Sequence, residues 1–515
     1  MSIRGRLFRR PGSLGFAAIA DLKIALVASE TAPFAKTGGL ADVVASLART
    51  LHRQGHDVRV FLPLYGELRG DGPVFTPVEG LQDLRLDFPG RSVVYGVSTS
   101  PLPNSEREDG TALEVEFIDC PEFFDRPGYY TSDPDEHLRW ATLCRATLDA
   151  IGRSAWPVDV VHCNDWHTGL LPLYLETAHR HVEALAGART LLTIHNMSFQ
   201  GTFGADVVHD LGLTEVRGML HQDHLAEGRL SMLETGILYA SWLSTVSETY
   251  AAEIQEAELG MGLEPLLKAR SDQLVGIVNG IDVDEWGSEN DVLIPERFSA
   301  ADLGGKARCR AALLDRFDMA PVADAEAGGP MVVGIVSRLT AQKGFELLPE
   351  ILPRYLEQGR IRLVVLGSGE DRYERYFQSL RDAHPDAVGV YLGFHDELAH
   401  WIEAGADLFL MPSRFEPCGL NQMFSLGYGT VPLVRRTGGL ADTVDPWDAL
   451  TGSGTGFVFH EFDPSALGAT FDHALRVWED RDAWTMLMCN GMQRDFSWER
   501  QSARYVDLYR QMVVT

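Results

Sequence analysis

Lysine is nearly missing from this chain. Of its 45 basic side chains only five are Lys, at positions 23, 36, 268, 306 and 343, and the rest are Arg. Cysteine is also sparse: six, scattered, with no C-x-x-C pair. That excludes a zinc ribbon or a disulfide framework and favours free thiols in a reducing cytoplasm. No apolar run reaches the roughly 18–20 residues that span a bilayer, so a membrane-spanning helix is not expected. Positive charge is in deficit: the formal net charge is −28. Such a balance argues against a general nucleic-acid binder. It suits a neutral polymer, or a small ligand held in a local basic pocket, and solubility alone would produce the same balance. Acid is absent from the first twenty residues, which hold four Arg, but their apolar stretch is short and broken by Pro11 and Gly12. Residues 1–21 therefore read as a disordered extension rather than a targeting peptide.

What is present is a repeat. The hexapeptide TGGLAD occurs at Thr37–Asp42 and again at Thr437–Asp442. Each copy follows an apolar run that reads as a strand (LKIALVAS, VPLVRR), and each can begin a helix. A glycine pair at such a turn lets backbone approach a ligand closely, and the free N–H groups of a helix start suit a phosphate. Two such turns suggest two similar α/β domains facing one ligand. Strand candidates alternate with helical stretches almost throughout, from DVRVFLP, VDVVHCN and RTLLTIH to MVVGIVS, IRLVVLG and DLFLMPS. Continuous apolar strands separated by helix-length segments indicate parallel sheets covered on both faces, doubly wound and present twice. The expected division is an N-terminal Rossmann-like domain over 22–272, a second over 273–494, and a C-terminal helix, 495–515, packing back on the first. The change is placed at 272/273 because the strand LVGIVNG and its Asn279-Gly280 turn read as entering the second domain.

Ligands of open α/β sheets bind beyond the carboxyl ends of the strands, and polar, glycine-containing segments fall at those ends repeatedly. They are SETAPFAKTGGLADV, HCNDWHTG, IHNMSFQG, NGID, SRLTAQKG, GSGED, SRFEPCGLNQ and RRTGGLAD. A dinucleotide fingerprint is not among them, since GSGED has Arg372 where G-x-G-x-x-G needs its third glycine, and no G-x-x-x-x-G-K-[ST] loop occurs. His162, Cys163, Asp165 and His167 resemble metal ligands, but alternation along a strand end opposes their convergence. The acid pairs of DPD (Asp133–Asp135) and DVD (Asp282–Asp284) read as ordinary loop acids rather than a metal–diphosphate clamp. Arg338 and Lys343 offer a fork and a point charge in one turn, suited to a diphosphate leaving group. A solvated loop would read the same. Lys36 sits in the first glycine turn. Glu416, between Ser413 and Gly419, reads as a carboxylate for sugar hydroxyls or positive charge, or as a helix N-terminal acid.

Taken together and in order, KTGGLADV, DWH, IHN, NGID, SRLTAQKG, SRFEPCGLNQ and RRTGGLADTV resemble the bacterial glycogen synthase and plant starch synthase family. The resemblance runs from about Lys23 to the C-terminus. It implies the GT-B fold, two Rossmann-like domains facing a central cleft. It also implies transfer of glucose from a nucleotide diphosphate sugar to the nonreducing 4-hydroxyl of an α-1,4-glucan with retention. ADP-glucose is the expected donor, glycogen the acceptor, and no metal or other cofactor is implied. By the same resemblance Lys36, Gly38 and Gly39 face the donor, and Arg338 and Lys343 hold its diphosphate. Glu416 lies by the transferred glucose with Cys418, Gly419, Leu420 and Asn421 beside it. Asp165, His195 and Asn279 bind sugar hydroxyls or shape the reacting centre. Two departures stand out: Phe424 where the wider clan often has a second Glu, and Asn421 where many relatives have Thr. A transferase using another nucleotide sugar, or an inactive glucan-binding protein, are the competing readings.

Overall fold

The computed structural model describes residues 21–70, 72–319 and 329–514. The extension expected over 1–21 lies, but for Asp21, outside the described residues. In chain order the strands are β1 (Lys23–Val27), β2 (Asp57–Pro63), β3 (Thr76–Pro77), β4 (Leu84–Phe88), β5 (Arg91–Pro101), β6 (Glu114–Asp119), β7 (Val160–Asn164), β8 (Arg189–Ile194), β9 (Thr202–Gly204), β10 (Arg229–Ser231), β11 (Trp242–Thr245), β12 (Leu274–Gly276), β13 (Met331–Val336), β14 (Ile361–Gly367), β15 (Val388–Leu392), β16 (Leu408–Met411), β17 (Val431–Arg435) and β18 (Phe457–Phe459). The first sheet runs β12-β11-β8-β7-β1-β2-β6-β5-β3, with β4 paired to β5; the second runs β15-β14-β13-β16-β17-β18.

The second sheet is parallel throughout. The first is parallel from β12 to β6, but β5 pairs antiparallel with β6, β4 and β3. That edge departs from the wholly parallel expectation. Its strands are half-buried: along β5, Val93, Tyr95 and Val97 are buried while Ser92 and Val94 are exposed. A continuous apolar run is the mark of a strand covered on both faces, and an alternating one marks an antiparallel strand covered on one. The Pro89-Gly90 turn, with Gly90 at φ +74°, reverses the chain between β4 and β5.

The boundary also moves. LVG, placed in the second domain from sequence, is β12 and pairs parallel with β11 as the edge of the first sheet. The chain crosses after it. Ile281 N–H donates to Phe496 O over 2.9 Å and pairs in a parallel bridge with Ser497, so outgoing and returning chain lie side by side. Gly280 is needed there, since a Cβ would sit 2.6 Å from the Trp498 ring. The helix Trp498–Val514 then buries Trp498, Tyr505, Leu508, Tyr509 and Met512 in the core of the first domain. Tyr509 OH reaches His162 Nδ1 at 2.8 Å.

Candidate active site

A cavity of about 590 Å³ lies between the domains, walled by residues from both. The first domain supplies Glu30, Gly38, Gly39, Tyr130, Asp165, Trp166, His195 and Phe199. The second supplies Arg338, Gln342, Lys343, Ser413, Glu416 and the run Cys418–Asn421, with Asn279 at the crossing. Every candidate residue named from the sequence lines it except Lys36.

Lys36 lies outside that lining. Its ammonium is on the rim, 2.8 Å from Asp42 Oδ1, with 48% of its side chain exposed. Asp42 lies in the first turn of the helix Gly39–Arg53 and offers the nearest carboxylate. A correction concerns what the glycine turns hold. Glu30 fills the first: Oε2 accepts from Thr37 N–H and, at 3.3 Å, from Gly38 N–H, while Oε1 accepts from Thr37 Oγ1 at 2.7 Å and from Tyr130 OH. Glu253 fills the second, accepting from Thr437 Oγ1 at 3.0 Å and Gly438 N–H at 3.1 Å. Carboxylates thus occupy the N–H groups expected to await phosphate, as the positive end of a helix allows.

The two turns use their glycines differently. At Gly38 an added Cβ meets nothing within 4 Å, and at Gly39 only Leu420 Cδ1 at 3.5 Å, across the cleft. At Gly438, with φ +44°, a Cβ would lie 1.9 Å from Glu416 O, and at Gly439 2.0 Å from Cys418 O. The second turn is packed under the loop that carries Glu416, and Gly439 N–H donates to Glu416 O at 3.1 Å. The same loop is gripped from the first domain. Ser247 Oγ donates to Pro417 O at 2.6 Å, and Thr249 N–H and Oγ1 donate to Asp442 at 2.9 and 2.5 Å. GSGED has a similar supporting part: a Cβ on Gly367 would strike Ser337 O at 1.9 Å, and Glu370 Oε1 accepts from Ala341 N–H at 2.8 Å. It buttresses the turn that carries Arg338.

Charge in the cavity is arranged as one pair and one open cation. Lys343 Nζ lies 2.6 Å from Glu416 Oε2, which also accepts from Ser413 Oγ at 3.0 Å. Among the described residues the Arg338 guanidinium makes no hydrogen bond or ion pair, and the residue is exposed. Asn421 does not turn its amide into the cavity: Nδ2 donates to Val336 O at 2.9 Å and ties the helix Asn421–Gly427 to the end of β13. Burial pushes the Cys418 thiol up to about 12, so it is a neutral wall. Asn279 lines the cavity, and its Oδ1 is buried with no hydrogen-bond partner among the described residues.

On the opposite wall, Asn164 Nδ2 donates to Val27 O at 3.2 Å, so Asn164 Oδ1 must accept. His195 Nε2, 3.0 Å from that oxygen, therefore carries a proton. Burial holds the imidazole down at about 3, leaving it neutral with an Nδ1 lone pair. Asp165 Oδ1 accepts from His195 N–H at 2.7 Å. Burial pushes its carboxyl up to about 7 against the N–H groups of His195 and Asn196, which favour the ionised form. Its φ of +58° is rare for a non-glycine residue and marks a strained turn at a functional wall.

The metal-like cluster read along the first domain does not converge. His162 gives its two ring nitrogens to Tyr509 OH and Thr193 Oγ1. Asp133 and Asp135 pair with Arg126 at 3.2 and 2.7 Å. Phe424 stacks at 4.0 Å on Trp286, which stacks at 3.8 Å on His400; the position where the clan has a second Glu is an aromatic packing site. Glu30, Tyr130, Phe199 and Gln342 line the cavity without having been singled out. Glu30, seven residues before the glycine turn, had a signal in its acid among apolar neighbours; Tyr130 and Phe199 arrive from loops with none.

Comparison with known proteins gives the same picture. Residues 23–269 match the family described as starch synthase catalytic domain, and residues 321–486 match glycosyl transferases group 1. A glycogen synthase of Anaeromyxobacter dehalogenans (strain 2CP-C) is 43% identical over 497 residues, 95% of this chain and 99% of the relative. One of Geotalea uraniireducens (strain Rf4) is 40% identical over 496, covering 95% and 98%. The catalytic domain of starch synthase IV from Arabidopsis thaliana, solved with ADP and acarbose, superposes with a TM-score of 0.85 at 32% identity, over 96% of this chain and 100% of that one. Sucrose-phosphate synthase from Thermosynechococcus elongatus, at 17% identity and a TM-score of 0.56 over 96% and 99%, shares the fold.

Proposed function

Since the chain belongs to the glycogen synthase and starch synthase family, a glycosyltransferase of GT-B fold that moves glucose from a nucleotide sugar to a glucan, we propose that its donor is ADP-glucose and that transfer to the nonreducing 4-hydroxyl of an α-1,4-glucan retains the anomeric configuration. The observation that carries this reading is the charge layout of the interdomain cavity: an unpartnered Arg338 beside a Lys343–Glu416 pair. ADP as the nucleotide is supported by its presence in the starch synthase IV structure. The cavity lies between the domains, where a polymer end and a nucleotide sugar can meet.

On this reading Arg338, which has no partner to leave, and Lys343, which exchanges Glu416 for phosphate, stabilise the charge that grows on the departing diphosphate. No metal enters the proposal: two cations and the N–H groups beginning the helix Asn421–Gly427 cover the leaving group. As Lys343 turns toward phosphate, Glu416 is released to face the positive charge building on the sugar. His195, neutral and proton-free at Nδ1, accepts from a glucose hydroxyl. Asp165 is half-protonated near neutrality and engaged with the His195 backbone, which suits positioning rather than a permanently ionised nucleophile. Retention then proceeds by attack on the face the diphosphate leaves, with phosphate oxygen taking the acceptor's proton. The work is expected in the cytoplasm; among the described residues no helix is long and apolar enough to cross a membrane.

The test is incubation with radiolabelled ADP-glucose or UDP-glucose and a glucan primer. Label should enter α-1,4-linked polymer from ADP-glucose in preference. Preference for UDP-glucose would replace the donor, and binding of glucan without incorporation would leave a glucan-binding protein.

A further inference from the structure

Away from the cleft, three side chains of the first domain converge. His221 caps the short helix Gln222–Ala226, His224 lies one turn on, and Glu234 lies in the first turn of the helix Met232–Tyr239. One ligand atom from each falls within 4.8 Å of the other two. None of the three lines the interdomain cavity.

Glu234 is 3% exposed, and among the described residues the side-chain partners found against its carboxylate are the two imidazoles. A lone buried carboxylate is costly without a partner of opposite charge. The partner present is ill-formed as a hydrogen bond. His224 Nδ1 lies 2.6 Å from Glu234 Oε1, yet it is buried with no hydrogen-bond partner of acceptable geometry. The ring N–H direction therefore misses the oxygen although the atoms nearly touch. His221 Nδ1 is 4.0 Å from the same oxygen, and its one hydrogen bond is a long 3.4 Å contact from His224 N–H. A ring nitrogen and a carboxylate oxygen that lie in contact without being aimed at one another can both be aimed at a cation lying to one side of them.

We propose that His221, His224 and Glu234 form a divalent-metal site of the zinc class, structural rather than catalytic. Two imidazole nitrogens and one carboxylate oxygen are a ligand set that zinc takes with water in the fourth position; an open position is the form of catalytic zinc, and the structural assignment rests on the cluster's place outside the interdomain cavity. With bonds of about 2.0–2.1 Å, tetrahedral ligand atoms sit about 3.3 Å apart; the 2.6 and 4.0 Å separations bracket that spacing. The platform is rigid on the Glu234 side. Ser231 Oγ caps Glu234 N–H at 3.1 Å, and Met232 N–H donates to Gly201 O at 3.0 Å. The helix is packed so closely on the turn after Asp165 that a Cβ on Gly169 would lie 2.2 Å from Met232 O. A metal would pin the His221–His224 segment to a helix that backs the Asp165 wall.

The test uses tag-free full-length protein stripped with EDTA and titrated with Co²⁺, then Zn²⁺. Wild type should take up one equivalent of Co²⁺ with visible d–d absorption and no thiolate charge-transfer band, and Zn²⁺ should displace it. His224→Ala and Glu234→Gln should lose that equivalent and its spectrum. Zn²⁺ should raise the melting temperature of wild type and leave that of Glu234→Gln, which keeps the side-chain shape, unmoved. Stripping should leave glucosyl transfer intact. Absence of stoichiometric Co²⁺ binding in wild type, or equal binding and equal Zn²⁺ stabilisation in Glu234→Gln, would overturn the site. Loss of transfer on stripping, restored by Zn²⁺, would overturn its structural assignment.

Discussion

Arg338 isolates the charge argument from the fold, because its guanidinium has no protein partner to lose. Arg338→Ala should lower turnover by roughly 100- to 1000-fold, the ~3–4 kcal/mol that one preorganised group contributes to a transition state, with no fall in melting temperature. Lys343→Ala is expected to do both: slow the reaction to a similar degree and destabilise the protein, since it strands the buried Glu416 carboxylate. Steady-state kinetics beside thermal denaturation separates the two, and an active Arg338→Ala protein would remove this residue from the mechanism. Asp165 makes a different prediction. Its carboxyl titrates near 7 in the native state and near 3.8 when the chain unfolds. Between those values the native protein holds a proton that the unfolded chain has released, so this group makes stability fall as pH rises through that window. Asp165→Asn should flatten that slope, seen in urea midpoints measured across pH 4–7; an unchanged slope would mean the group is ionised in the fold.

At the scale of elements, one hexapeptide performs two tasks. Gly38 has open space around it and an extended backbone (φ −161°), so Gly38→Ala should fold normally. If donor phosphate comes close there, the same change should raise KM for the donor several-fold. Gly438→Ala places a methyl on Glu416 O and demands a positive φ of alanine, so it should unfold or displace the loop. Circular dichroism and donor kinetics on the two variants check the contrast. Glu253, which joins the first domain to that second turn, is expected to act on Glu416 through its backbone: Glu253→Gln should lower kcat with little change in donor KM, whereas equal loss in both would assign it to binding. Sequence carried much of this. Parallel strands showed as unbroken apolar runs, and site loops showed as glycine and polar residues at their ends. The antiparallel edge was legible in part: LRLDF alternates apolar and polar residues cleanly in β4, while β5 begins as an alternation and then runs through Gly96 and small polar residues that carry little pattern. Sequence did not carry the true sheet of β12, because three residues hold too little pattern to say which neighbour they pair with. The partners of Lys36 and of the two turns are not legible in sequence for one reason. Which partner fills a charged group depends on a carboxylate (Asp42, Glu30, Glu253) whose proximity only the fold decides.

For the molecule as a whole, the two domains are joined by paired crossings at Ile281 and Phe496–Ser497 and by the grip of Ser247, Thr249 and Glu253 on the second domain. A hinge of two adjacent strands allows rotation about their line while resisting sliding. Domain closure on substrate is expected to shrink the radius of gyration in solution scattering when ADP and a glucan oligomer are both present, relative to protein alone. An unchanged profile at saturation would describe a fixed cleft.

The returning helix Trp498–Val514 has a consequence for how the protein is made. Translation delivers the first sheet early and this helix last, yet Tyr505, Tyr509 and Met512 belong to the core around that sheet. While the second domain emerges from the ribosome, the domain born first keeps an uncovered apolar flank. Its completion waits on that helix. A chain stopped after the helix Arg481–Met492 would hold a second domain nearly whole and a first domain unfinished, the kind of open surface that chaperones and proteases find.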